Sequence, residues 1–128
     1  MNKAAVYDTR FFTELYRSND DERRRKIRAE MIRKEKYVSS VVIHELYHTS
    51  IAAEGRETAK NKVAYVKEGF EIIPVDTQLA EISAELRHKY RIPMCDSMIA
   101  ATALMLKAVC ITDDPHFKQI KEIQTTWI

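Results

Sequence analysis

Four acidic residues, Asp8, Glu45, Asp96 and Asp114, stand where a parallel α/β fold would gather them. Asp8 follows a short apolar run. Asp96 stands at the start of an apolar helical stretch behind Pro93, and Asp114 lies just past Ala108-Val109-Cys110-Ile111. In an open parallel sheet, strand C-ends and the helix N-termini that follow them share one edge, where ligands bind. Carboxylates crowded there repel one another and suit a hard divalent cation such as Mg²⁺ or Mn²⁺, which takes oxygen ligands and leaves positions for water and phosphate. One or two such ions can turn water into a nucleophile and stabilise the leaving oxygen of a phosphodiester. Nucleophilic catalysis by Ser or Cys fits these groups poorly.

Each Asp taken singly has a plainer reading, as a helix cap. Asp114 followed by Pro115 is ideal for it, since Pro suits the first helical position. Glu45 is different. It lies inside a helix beginning near Ser40, on a stripe with Val42, Leu46, Thr49 and Ala53. A carboxylate there needs a partner, because burying a charge costs of order several kcal/mol. An Arg or Lys could serve, and so could a cation shared with the three Asp.

The elements that must position these groups follow from pattern. Lys3–Tyr7 reads as a short buried strand, followed by a helix from about residue 10 to 17. Asn19 or Asp20 caps a second helix, with Asp21 and Glu22 favourably placed in its first turn. That helix carries Arg23-Arg24-Arg25-Lys26, read as a solvated face beside its own acids. Its apolar positions Ile27, Met31 and Ile32 are too few for deep burial. Tyr37–Ser39 is a second strand; Ser39 or Ser40 caps a helix to about Glu54, which Gly55 ends. Another helix spans 56–68, Gly69 breaks it, and Phe70–Val75 forms a third strand. Asp76 or Thr77 caps a helix to about Tyr90 with Leu79, Ile82 and Leu86 inside. A last strand near 123–126 completes an α/β domain with a parallel sheet.

With 128 residues, 45% hydrophobic and 31% charged, the chain is one globular domain spanning 1–128. A net charge of +2 does not by itself argue for a nucleic-acid partner. Two cysteines without metal-ligand spacing point to a reducing cytoplasm. No apolar run approaches membrane-spanning length, and the first strand starts too early for a targeting segment. Cys95 and Cys110 read as small buried hydrophobes, and Met94, Met98 and Met105 as core filler.

Asp8-Thr9, Ser39-Ser-Val-Val-Ile-His-Glu45-Leu46, Asp96-Ser-Met-Ile-Ala-Ala-Thr-Ala-Leu104 and Ile111-Thr112-Asp113-Asp114-Pro-His-Phe117 together resemble the successive motifs of PIN-domain ribonucleases. The similarity spans essentially the whole chain and is to the small VapC-type toxins of toxin–antitoxin pairs. It implies a five-stranded parallel sheet in a three-layer sandwich and Mg²⁺- or Mn²⁺-dependent endonucleolytic cleavage of RNA. It carries metal binding onto Asp8, Glu45, Asp96 and Asp114. In the Thr-x-Asp-x-x-Phe pattern Asp114 is the match, Asp113 is the variable position, and Thr112 would orient a carboxylate or water. Thr9 takes a supporting place beside Asp8. Ser97 stands where the family often has Ala. The resemblance also implies a cognate antitoxin whose C-terminal segment covers the site, and a homodimer.

Three other readings compete. His44-Glu45-Leu-Tyr-His48 is a literal His-Glu-x-x-His, which on a helix could grip Zn²⁺ with Glu45 as general base of a protease. It arises readily by chance, leaves the three Asp unexplained, and would need Glu68 or Glu71 as third ligand. A receiver domain also collects acids around Mg²⁺, but wants an acidic pair after the first strand and an Asp ending the third. A degenerate, non-catalytic PIN module would lack one of the four acids, and none is missing here.

Overall fold

The computed structural model describes residues 3–128. Five strands alternate with seven helices: β1 (Ala5–Tyr7), α1 (Thr9–Arg17), α2 (Asp21–Met31), β2 (Lys36–Ser39), α3 (Ser40–Glu54), α4 (Arg56–Gly69), β3 (Glu71–Ile73), α5 (Thr77–Tyr90), α6 (Met94–Leu106), β4 (Val109–Ile111), α7 (Pro115–Lys118) and β5 (Thr125–Thr126). Every strand pair is parallel, in the order β3-β2-β1-β4-β5. This order is not the 2-1-3-4-5 arrangement of receiver domains. β1 is central, so Ala5, Val6 and Tyr7 are fully buried.

Parallel crossovers are right-handed. The chain therefore lays α1 to α4 on one face as it steps from β1 to β3, and α5 to α7 on the other as it returns. On the first face Tyr7, Phe11, Phe12 and Phe70 form an aromatic cluster with ring centroids 4.7–5.4 Å apart. The Tyr7 hydroxyl donates to Glu30 at 2.7 Å, and Arg33 pairs with the same carboxylate at 2.9 Å. On the second face the buried residues Ile99, Ala100, Ala101 and Ala103 of α6 pack against the sheet. Ser83 and Ser97 share a hydrogen bond of 2.8 Å between α5 and α6, so the Ser that replaces Ala ties two helices together.

Several helix starts obey the capping rules. The side chains of Asp20, Ser39 and Asp76 accept from Glu22, Val41 and Leu79 backbone N–H groups. Gly55 takes φ 91° between α3 and α4, a backbone region in which a side chain would be strained. Other expectations need correction. Gly69 is the last residue of α4 rather than a break before the strand, and β3 is only Glu71–Ile73. Ile27 is buried, whereas Ile32 is 83% exposed. Met94 and Met105 are exposed, not core, because both project from the outer side of α6. Cys110 is buried as expected, but Cys95 is only partly so. The basic run of α2 is solvated: Arg24 and Arg25 are exposed, Arg23 pairs with Glu14 at 2.6 Å, and Lys26 lies 3.9 Å from Glu22.

Candidate active site

The C-terminal ends of β1, β2 and β4 and the starts of α1, α3, α6 and α7 meet at one edge, and the predicted acids arrive there from all of them. Asp8 occupies the cap position of α1, yet its side chain makes no capping bond. It accepts instead from the Thr112 hydroxyl at 2.7 Å, just past β4. That same Thr112 oxygen accepts the Asp114 backbone N–H at 3.0 Å. One buried hydroxyl thus links the first acid to the fourth. Asp114 does cap α7, accepting from the His116 N–H at 2.9 Å with Pro115 in the first turn. Asp96 is not a cap: Pro93 holds that position, and Asp96 is the third residue of α6.

Glu45 is half-buried rather than sunk in the core, since its stripe emerges into solvent at Thr49 and Ala53. Among the described residues neither Arg nor Lys supplies its partner. The Thr9 hydroxyl donates to it at 2.5 Å, and the Cys95 thiol lies close enough to feel its charge. Thr9 adjoins Asp8 and Cys95 adjoins Asp96, so the Glu45 carboxylate faces the same pocket from the α3 side.

Electrostatics reflect this crowding. Burial pushes the Asp8 carboxyl up to about 6, the Thr112 hydrogen bond opposes the rise, and repulsion from Asp96 and Asp114 adds to it. Asp96 is raised too, first by burial and then by Asp114 and Glu45, with His116 acting against them. Asp113 behaves in the opposite way. The Arg10 guanidinium grips both its oxygens, one at 2.9 Å, and holds it below the usual carboxylate range. Asp113 is thereby paired with Arg10, its side chain 30% exposed.

Two participants at this edge escaped sequence reasoning. Arg10, which engages Asp113, lies two residues past Asp8. His116 places Nδ1 2.8 Å from an Asp96 oxygen and 3.2 Å from an Asp114 oxygen. Among the described residues, Asp96, Asp114 and His116 form a group whose ligand atoms all lie within 4.8 Å of one another. The available signal was position alone: a His in the first turn of a helix whose cap is one of the acids. Carboxyls raised by burial and mutual repulsion, with ligand atoms at coordination spacing and the nearby Arg10 engaged by Asp113, fit a divalent cation.

The zinc motif fares differently. His44 and His48 are exposed, with parallel rings 6.1 Å apart. Glu68 lies in the last turn of α4 and Glu71 opens β3, at the opposite end of the strands from the edge where α3 begins, and among the described residues no group at metal-ligand spacing joins either of them to His44 or His48.

Comparison with known proteins agrees with this geometry. The PIN domain model matches residues 5–123. The chain belongs to the PIN domain family. Its fold is similar to that of VapBC2 from Rickettsia felis bound to promoter DNA (TM-score 0.82, 19% identity, 98% of each chain). DNA-bound VapBC from Salmonella typhimurium is similar as well (0.81, 20%, 98% of each). So is VapC20 of Mycobacterium tuberculosis, a toxin that cleaves the sarcin–ricin loop (0.71, 18%, 94% of this chain and 98% of that one). No curated protein sequence matches it significantly. This PIN domain has the five-stranded, all-parallel sheet that the motif resemblance implied. Among its described residues no helix is long and apolar enough to cross a membrane.

Proposed function

We propose that this PIN domain is a metal-dependent endoribonuclease and the toxin of a toxin–antitoxin pair. The observation that supports this most is the meeting of Asp8, Asp96 and Asp114, with Glu45 facing them, at one edge of a PIN fold. Asp8, Glu45, Asp96 and Asp114 would hold one or two Mg²⁺ or Mn²⁺ ions. Such an ion supplies Lewis acidity and an activated water for attack on an RNA phosphodiester.

The chain's own residues prepare the pocket. Thr112 fixes the Asp8 carboxylate in one orientation, and Thr9 does the same for Glu45. Such supporting hydrogen bonds hold ligands in place before a cation or substrate arrives. Arg10 keeps Asp113 from adding another negative charge beside the scissile phosphate. The exposed arginines of α2 offer charge to more distant RNA phosphates, a contribution that salt weakens steeply.

Fold-level relatives are structures of VapBC complexes. On that likeness the partner is a cognate antitoxin whose C-terminal segment covers the acidic edge, the active unit is a homodimer, and the setting is the cytoplasm. The test is expression in cells without the antitoxin. Wild-type chain should arrest growth, while Asp8→Asn and Asp96→Asn accumulate as folded protein and do not. Arrest by both variants at the wild-type level would refute the assignment.

A further inference from the structure

His116 is used by neither the motif nor the four-acid scheme. We propose that it is a direct ligand of the site, and that it turns the site's preference from Mg²⁺ toward Mn²⁺ and other transition ions. This rests on reading the acidic edge as a cation site. Ligands about 2.1 Å from an octahedral ion and at right angles to each other lie about 3 Å apart. The His116 Nδ1 atom is 2.8 Å from Asp96 Oδ2 and 3.2 Å from Asp114 Oδ1, the spacing of neighbouring ligands around one ion.

Local structure holds the ring there. Pro115 sets the backbone of the first turn, and Asp114 accepts the His116 N–H, so residues 114–116 form a fixed corner. When a cation takes the place of the proton that Nδ1 donates to Asp96, the imidazole, 47% exposed, keeps its remaining N–H on the solvent side. Carboxylate and water ligands suit Mg²⁺ and Mn²⁺ alike, whereas an imidazole favours the transition ions over Mg²⁺, with affinity rising from Mn²⁺ along the first row. Two carboxylates with one imidazole therefore discriminate where four carboxylates would not. The rival role, an imidazolium counter-ion that any incoming cation displaces, makes the opposite prediction about removing the ring.

The experiment is direct ion binding to the full chain, stripped with EDTA and desalted. Mg²⁺ and Mn²⁺ are titrated by calorimetry and Co²⁺ by its visible spectrum, for wild type, His116→Ala and Asp96→Asn. His116→Ala should lose about tenfold or more in Mn²⁺ and Co²⁺ affinity, change far less toward Mg²⁺, and alter the Co²⁺ bands. Unchanged or tighter Mn²⁺ binding by His116→Ala overturns the ligand role, because a displaced counter-ion would behave that way. Asp96→Asn separates the two levels of the argument. Loss of all three ions supports the site itself, whereas wild-type binding by Asp96→Asn removes the cation site and the proposal with it.

Discussion

Asp8 shows how a single residue can be set against the stability of its own fold. Burial in the folded chain pushes its carboxyl from the usual 3.8 up to about 6. Between those values the folded state keeps a proton that the unfolded state has released, so folding is favoured at the acid end. Stability falls as pH rises through the window. The rise corresponds to roughly 3 kcal/mol once pH 7 is reached. In EDTA, Asp8→Asn should therefore gain up to about 3 kcal/mol at pH 7 and almost nothing at pH 4, as read from urea denaturation at both. An equal effect at the two pH values would contradict the assigned cause. Thr112 gives a second prediction. Thr112→Val keeps the shape but removes the donor to Asp8, so RNA cleavage and Mn²⁺ affinity should fall about 10–100-fold, with Thr112→Ser restoring most of both. Asp8 and Thr112 were legible in sequence because each follows an apolar strand. His116 was not, because its role depends on a distance to Asp96 across two separate helices.

Helix starts carry most of the site, and they divide into two kinds. Asp20 and Asp76, outside the cluster of acids at the site edge, spend their carboxylates on capping. At that edge Asp8 does not cap, and Asp96 sits inside the first turn of α6, near the positive end of the helix dipole. Asp114 does both jobs. The alternation of strand and helix was readable from apolar runs and cap residues, and most elements fall near their expected bounds, with β3 the shortened exception. Packing against remote elements was less readable. Glu45 lay on an apolar stripe that called for a charged partner, yet a hydroxyl from α1 met it at a half-exposed position. The Met residues of α6 likewise showed their helix but not which of its sides faced solvent. Asp113 and Asp114 are neighbours of one residue type; in the structure Arg10 of α1 pairs with Asp113, whereas Asp114 caps α7 and joins Thr112. Asp113→Asn should leave Mn²⁺ affinity within about twofold of wild type, in the range of a surface change. Asp114→Asn should lower it about tenfold or more. Calorimetric titration of both variants checks this, and equal losses would show that the two acids share one role.

At the scale of the whole molecule, the sheet order β3-β2-β1-β4-β5 puts β1 at the centre with β2 and β4 on either side. That arrangement lets acids from positions 8, 45, 96 and 114 share one edge although the chain separates them widely. The family resemblance read from the motifs implied the five-stranded parallel sheet, but neither its strand order nor the side-chain orientation within it. A fold that gathers like charges is stabilised by whatever neutralises them. Saturating Mn²⁺ should raise the melting temperature by several degrees at pH 7, in proportion to the logarithm of ion concentration, and should not do so for Asp96→Asn. The most direct measurement of the central claim is incubation of the purified chain with a defined structured RNA, in Mn²⁺ or Mg²⁺ and again in EDTA, with mapping of the new RNA ends. The predicted result is cleavage at discrete positions that EDTA stops, added Mn²⁺ restores, and Asp96→Asn lacks. Cleavage that persists in EDTA, or that Asp96→Asn performs at the wild-type rate, would contradict it.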